Sequence, residues 1–156
     1  MLRAALALTA LVVVTGCAGS KEPPRDAAGH VTAAGTVRAD HIRVGDCYDD
    51  QGQASVRGFP VVPCARPHDN EVFFLFDADG DAYPGPDELT QVAISGCSGN
   101  AFTAYVGTAL ADSALRAFEV VPTKDTWVHD HDRQIICGLT ARSRGKLNGS
   151  AKDAAQ

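Results

Sequence analysis

Residues 61–76, VVPCARPHDNEVFFLF, hold a cysteine, a Pro-His turn, a lone glutamate and the most apolar strand of the domain. Val61 and Val62 read as the end of a short strand running into Cys64. Ala65 to Asn70 carries Pro, Asp and Asn, the chemistry of a tight turn. Glu71 to Phe76 follows as a strand. Strict alternation puts Val72, Phe74 and Phe76 on one face and Phe73 and Leu75 on the other. Apolar side chains on both faces mark a strand covered on both sides, most simply a central one.

Working outward, the domain opens near Asp40. Ile42 and Val44 alternate with Arg43 and Gly45, which predicts a short strand ending at Cys47. Tyr48 to Gln53 is turn chemistry. Cys47 and Cys64 then sit near the same end of two neighbouring strands. Downstream, Pro86 suits a first helical position, and Asp87 and Glu88 suit the positive end of a helix dipole. Leu89, Ala93, Cys97 and Ala101 recur every four residues, with Phe102 and Tyr105 continuing the stripe to a stop at Gly107. Gly96 and Gly99 inside this helix each cost about 1 kcal/mol against Ala, which predicts close packing there. Asp112 to Ala117 reads as a short helix or turn, and Phe118 to Val121 as a strand stopped by Pro122. Thr123 to His131 reads as a polar turn holding Trp127, the single tryptophan. The last strand is Arg133 to Ala141, with Ile135, Cys137 and Leu139 on one face. These elements predict an α+β fold: a small antiparallel sheet of about five strands packed on one main helix.

The N-terminus addresses the chain rather than folding with it. Arg3 precedes an apolar run from Ala4 to Val14. The run is shorter than the ~20 residues of a membrane-spanning helix. It ends in Val14-Thr15-Gly16-Cys17, which resembles a bacterial lipobox. Residues 1–16 are then a lipoprotein signal peptide, and Cys17 is the acylated first residue, held in membrane lipid on the extracytoplasmic face of the cell membrane. Residues 17–39, small and polar, read as a flexible linker with His30 solvated, the domain as 40–142, and residues 143–156 as a frayed tail. The formal charge is -5; losing residues 1–16 removes Arg3 and no acid, giving -6. An acidic domain repels phosphate backbones, so nucleic acid is excluded as a partner. Export leaves four domain cysteines in an oxidising compartment, which allows three pairings. The strand placement favours Cys47–Cys64. Cys97 and Cys137 both fall on apolar faces, favouring a second bridge that staples helix to sheet.

His68 and Glu71, three residues apart across a turn, are the pair best suited to acid–base or metal chemistry. The alternative is that His68 caps the turn and Glu71 pairs with Arg133. His129 and His131 are further imidazoles in a turn. Trp127 suits either a stacking platform or a core cap, and Asp132-Arg133 suits a structural ion pair. Asp77, Asp79, Asp81 and Glu88 follow a calcium-loop spacing, but Ala82 stands where that loop needs Gly, so an acidic solvated loop is the better account. Oxidised cysteines exclude thiolate catalysis, and no C-x-x-C spacing marks a zinc site. No catalytic residue, metal or cofactor is assigned. Asn148-Gly149-Ser150 matches a glycosylation acceptor without weight in a bacterial chain.

Val44-Gly45-Asp46-Cys47, the Cys64-x-x-Pro67-His68-x-x-Glu71 spacing, Gly96-Cys97, and Trp127 followed by Asp132-Arg133-x-x-x-Cys137 resemble the septum-formation domain of actinobacteria. The resemblance spans about residues 40–142. The family pattern carries Gly where this chain has His131. The resemblance implies an exported, membrane-anchored protein of the cell envelope linked to septum formation. The function expected is then a non-catalytic binding domain with an envelope or division protein as partner, presenting His68, Glu71, Trp127, Asp132 and Arg133. The alternative is an envelope hydrolase or metal-binding protein using His68 and Glu71.

Overall fold

The computed structural model describes residues 22–50 and 58–155. The signal segment, Cys17 and the end of the 48–53 turn lie outside the described residues. The central strand of the opening stretch is β4 (Asn70–Asp77). With β1 (Gly35–Arg38), β2 (Cys47–Tyr48), β3 (Gly58–Val62), β5 (Leu115–Val120) and β6 (Gln134–Ala141), it forms a six-stranded antiparallel sheet in the order β1-β3-β2-β4-β6-β5. The expected α+β class is what the chain adopts, with one strand more than expected.

The alternation expected along β4 breaks at Phe73. Its register against β6 shifts between Val72 and Phe74, a bulge that accommodates one extra residue. Phe73 and Phe76 therefore both reach the core beneath the helices, and Phe74 stacks on Phe76. Val72 and Leu75 turn to the opposite face. Phe73, assigned by strict alternation to the face away from Phe76, lies on the same side as it.

The main helix is bent. α1 (Pro86–Ser98) buries Leu89, Ala93 and Cys97, and α2 (Asn100–Val106) buries Phe102, Tyr105 and Val106. Gly99 separates them. Gly107, with φ 88°, closes α2 in the left-handed region by donating to the Thr103 carbonyl, the expected stop. The close packing expected at Gly96 is present: the Phe76 ring occupies the space a Cβ would need. Gly99 shows no such constraint. The two bridges form as expected, Cys47–Cys64 with Cα atoms 5.2 Å apart and Cys97–Cys137 with 5.3 Å. The second pins α1 to β6.

The other face of the sheet holds a second core. Val37 of β1, Phe59 and Val61 of β3, Tyr48 of β2, Val72 of β4 and Ile136 of β6 share it, and Phe118 and Val120 of β5 pack against it. β1 and β5 are opposite edges of the sheet, about 24 Å apart if it were flat. Side chains of both edges belong to one cluster, so this core runs across the whole width of the sheet.

Four further expectations are corrected. Residues 22–39 do not form a linker. Pro24 to Thr32 makes a hairpin whose Val31 enters the second core, and β1 follows as an edge strand. A buried ion pair holds it: Arg25 donates through both guanidinium nitrogens to Asp46, at 2.5 and 2.8 Å. Residues 143–155 are not frayed, because Leu147 and Ala151 are buried and the segment straps across the molecule. Residues 42–46 are not a strand; a 3-10 turn at Ala39–His41 precedes them, and Gly45 takes φ 88°. Finally, Thr123 is an N-cap rather than turn filler. It opens α3 (Lys124–His129) with a reciprocal bond to Thr126, and this helix buries Trp127.

Candidate functional site

The Pro67-His68-x-x-Glu71 corner joins the turn after Cys64 to the start of β4, and the C-terminal strap closes over it. His68 exchanges backbone hydrogen bonds with Leu147, donating at 3.1 Å and accepting at 2.8 Å. Its ring is fully buried. Nδ1 lies 2.7 Å from the Arg66 carbonyl, which only accepts, so Nδ1 carries the proton. Nε2 has no partner among the described residues.

Glu71 stands opposite Cys47 on β2 and Leu139 on β6. Its carboxylate is also fully buried, and three groups donate to it. Oε1 accepts from the Tyr105 hydroxyl at 2.6 Å and the Ser150 hydroxyl at 2.5 Å; Oε2 accepts from the Ala151 N–H at 2.7 Å. Burial, then the charge of Glu71 and the hydrogen bond to it, hold the Tyr105 hydroxyl well above its ordinary range, so it remains a donor. The Cys47 and Cys64 sulfurs lie within 4.8 Å of the carboxylate. These three residues form the one cluster of His, Cys, Asp or Glu among the described residues with ligating atoms this close. Both sulfurs are committed to the bridge, so they offer no thiolate.

The sequence-predicted residues do not converge on one site. His68 and Glu71 make their hydrogen bonds to different partners and none to each other. Glu71 does not pair with Arg133, which lies elsewhere. The Arg133 guanidinium sits 3.8 Å from the Trp127 ring centroid and donates to the carbonyls of Gly80, Asp81, Trp127 and Asp132. The Asp132 side chain accepts from the Gln134 N–H, so Asp132 and Arg133 form no side-chain ion pair. Trp127 is buried, edge-on to Tyr83, with its indole N–H donating to Asp81 at 3.0 Å. It caps the core and is closed to a partner. Together Trp127 and Arg133 tie the acidic 77–88 loop down through its backbone. His129 faces Asp125 at 3.6 Å on the exposed side of α3, and His131 takes φ 54° in the turn that follows.

Sequence reasoning missed Tyr105, Ser150 and Ala151 as partners of Glu71. The signal was slight: Leu147 and Ala151 are single apolar residues in a small, polar tail. It also missed Lys146, which bridges Asp49 at 2.8 Å and Asp69 at 2.7 Å and so fastens the strap to β2 and the β4 turn. A shallow cleft of about 460 Å³ lies where the strap leaves the sheet, lined by Ala114, Leu115, Ala141, Arg142, Lys146 and Leu147 among others. Its two charged residues are engaged, Arg142 with the Ser113 and Leu110 carbonyls and Lys146 as above.

The sequence pattern for septum formation matches residues 44–156, from Val44 through the whole strap. The chain belongs to the septum-formation family. The matched region takes in both bridges, the Glu71 corner and all three of its donors. The hairpin and β1 lie outside it. No curated protein and no solved structure matches the chain. The septum-formation domain thus centres on a sealed polar lock, and among its described residues no helix is long and apolar enough to cross a membrane.

Proposed function

We propose that this protein is an exported, lipid-anchored, non-catalytic binding module of the actinobacterial cell envelope that serves septum formation. The observation that carries the non-catalytic part is the Glu71 lock. A carboxylate that is buried and bonded to three protein donors is spent on structure, and the His68 imidazole is itself fully buried. A hydrolase or metal reading of His68 and Glu71 is therefore not favoured. Two disulfides support an oxidising, extracytoplasmic compartment. Family membership supports a role in cell division. The lipobox-like Val14-Thr15-Gly16-Cys17 supports anchoring through acylated Cys17. Its partners are membrane lipid and an envelope or division protein that meets the outer surface of the domain.

Cell fractionation tests the anchoring. The parent chain is expected in the membrane fraction and Cys17→Ala in the soluble fraction; retention of Cys17→Ala in the membrane refutes it. The His68→Ala, Glu71→Ala double variant tests the rest. A loss of stability is expected. Unchanged stability with loss of an activity on cell-wall material overturns the binding-module reading.

A further inference from the structure

We propose that the end of the domain formed by Glu22, Arg38, Asp40, His41, Arg43 and Val44 is a phospholipid-docking face that holds the domain directly against the membrane. This rests on the acylation of Cys17 proposed above.

The first argument is reach. The sequence suggested a linker of more than twenty residues, but the chain is already built into the domain at Glu22. Glu22 pairs with His41, Pro23 is buried against Gly35, and Arg25 is locked to Asp46 with side chains only 10% and 2% exposed. Five peptide steps separate Cys17 from Glu22. Fully extended, they span about 18 Å at most. An acyl chain in the bilayer therefore keeps this end near the headgroups, with little room for anything between.

The second argument is charge. Residues 17–44 contain four basic and three acidic residues, net +1; residues 45–156 contain nine basic and sixteen acidic, net -7. An anionic lipid surface repels most of this molecule and spares only the part that its anchor brings close.

The third argument is surface chemistry. Arg38 and Asp40 pair through two bonds, at 2.8 and 2.9 Å. Arg43 is exposed and makes no side-chain ion pair with any described residue. Beside it, Val44 is 49% exposed. A cation next to an apolar side chain suits the boundary between lipid phosphate and acyl chain.

The register fixes which end this is. Gly45 and Asp46 bond to Val72, so Arg43 and Val44 lie further towards the C-terminal end of β4. The cleft and the first residues of the strap, 143–147, lie beyond the other end, past the Asn70–Thr140 pair, and the rest of the strap runs back over Glu71 and Tyr105. Docking through Val44 leaves the cleft end facing away from the lipid, open to a protein partner.

The test uses the acylated full chain in vesicles of phosphatidylglycerol and phosphatidylethanolamine with brominated acyl chains. Tryptophan probes are placed at Val44→Trp, at Arg43→Trp as a neighbouring probe should the first variant not fold, and at Ser143→Trp at the far end. Each is read against the parent chain, whose Trp127 is buried. The added emission of the Val44 or Arg43 probe is expected to be lost to quenching, and that of the Ser143 probe to be retained. If the chain stays on the vesicles while neither near-end probe is quenched, or if the Ser143 probe is quenched instead, the docking face is overturned and the anchoring stands. If the chain does not stay on the vesicles, or Cys17→Ala stays equally well, the anchoring reading fails and this face falls with it.

Discussion

Replacing Glu71 by alanine removes one acceptor group and strands three donors. Ser150 lies near the surface and turns to water at little cost. The Tyr105 hydroxyl and the Ala151 N–H are buried and have nowhere to turn. An orphaned buried donor costs about 1–3 kcal/mol, so the two together cost about 4 kcal/mol. Native domains are stable by about 5–15 kcal/mol, which makes this a large fraction of the total. For a domain of this size it lowers the melting temperature by roughly 12 °C. Urea unfolding at pH 7 with the disulfides intact measures the loss, and hydrogen exchange localises it. The Ala151 amide should exchange far faster than amides at the centre of β4, because the strap is released before the sheet. Glu71→Gln keeps the shape but turns an amide N–H₂ toward a donor, and should lose about half as much. A loss below about 1 kcal/mol in Glu71→Ala, with the Ala151 amide still protected, refutes the lock.

Other expectations follow from the same structure. The hydroxyls of Tyr48 and Tyr105 are both held above their ordinary range, Tyr48 by burial and then the charge of Asp50, Tyr105 by burial and then Glu71. The unfolded chain therefore releases these protons first, so stability is full below about pH 10 and falls as pH rises past it. Tyrosine absorbance should show Tyr48 and Tyr105 titrating together with unfolding, and Tyr48→Phe should move that unfolding to higher pH. His131→Gly should stabilise the domain by about 0.5 kcal/mol in urea unfolding, since His131 holds φ 54° where glycine is unstrained; a destabilisation would show that the imidazole contributes more than its backbone costs. Gly96→Ala should destabilise by about 2 kcal/mol, because its methyl group meets the Phe76 ring, whereas Gly99→Ala should not.

The sequence made the central strand, the main helix and both bridges legible, because each rests on local periodicity or on cysteines whose faces that periodicity sets; the bend at Gly99 was not read. The bulge at Phe73 was not legible. Nothing in NEVFFLFD distinguishes a run with strict alternation from one carrying an extra residue; the helices select the face by accepting Phe73 between Phe102 and Tyr105. The hairpin at 24–32 and the strap at 143–155 were missed for one reason. Both are poor in apolar residues and are held by polar contacts with distant groups, Arg25 with Asp46 and Ser150 and Ala151 with Glu71. Composition reports such stretches as linkers, since an ion pair between residues 25 and 46 leaves no periodic trace. The His131 turn was half legible: the family pattern asks for Gly there, and the backbone takes the left-handed conformation a glycine would supply. Of the two places the sequence left open to Trp127, a stacking platform and a core cap, it takes the second, and its helix was lost because six residues with a Thr cap carry too little apolar pattern.

The order in which the Glu71 donors leave the ribosome has its own consequence. Tyr105 emerges 34 residues after Glu71, Ser150 and Ala151 only 79 and 80 residues after it. A chain emerging from its N-terminus can pair β2 with β4 early, yet its central carboxylate stays short of two donors until residues 150 and 151 have emerged. Closure of the core is therefore a late event of long sequence separation, and such closures are slow. Until then the His68–Leu147 seam stands open, which makes the chain without its strap the form most exposed to proteases. Arrival of the strap, rather than formation of the first bridge, is the step that commits this domain to its fold.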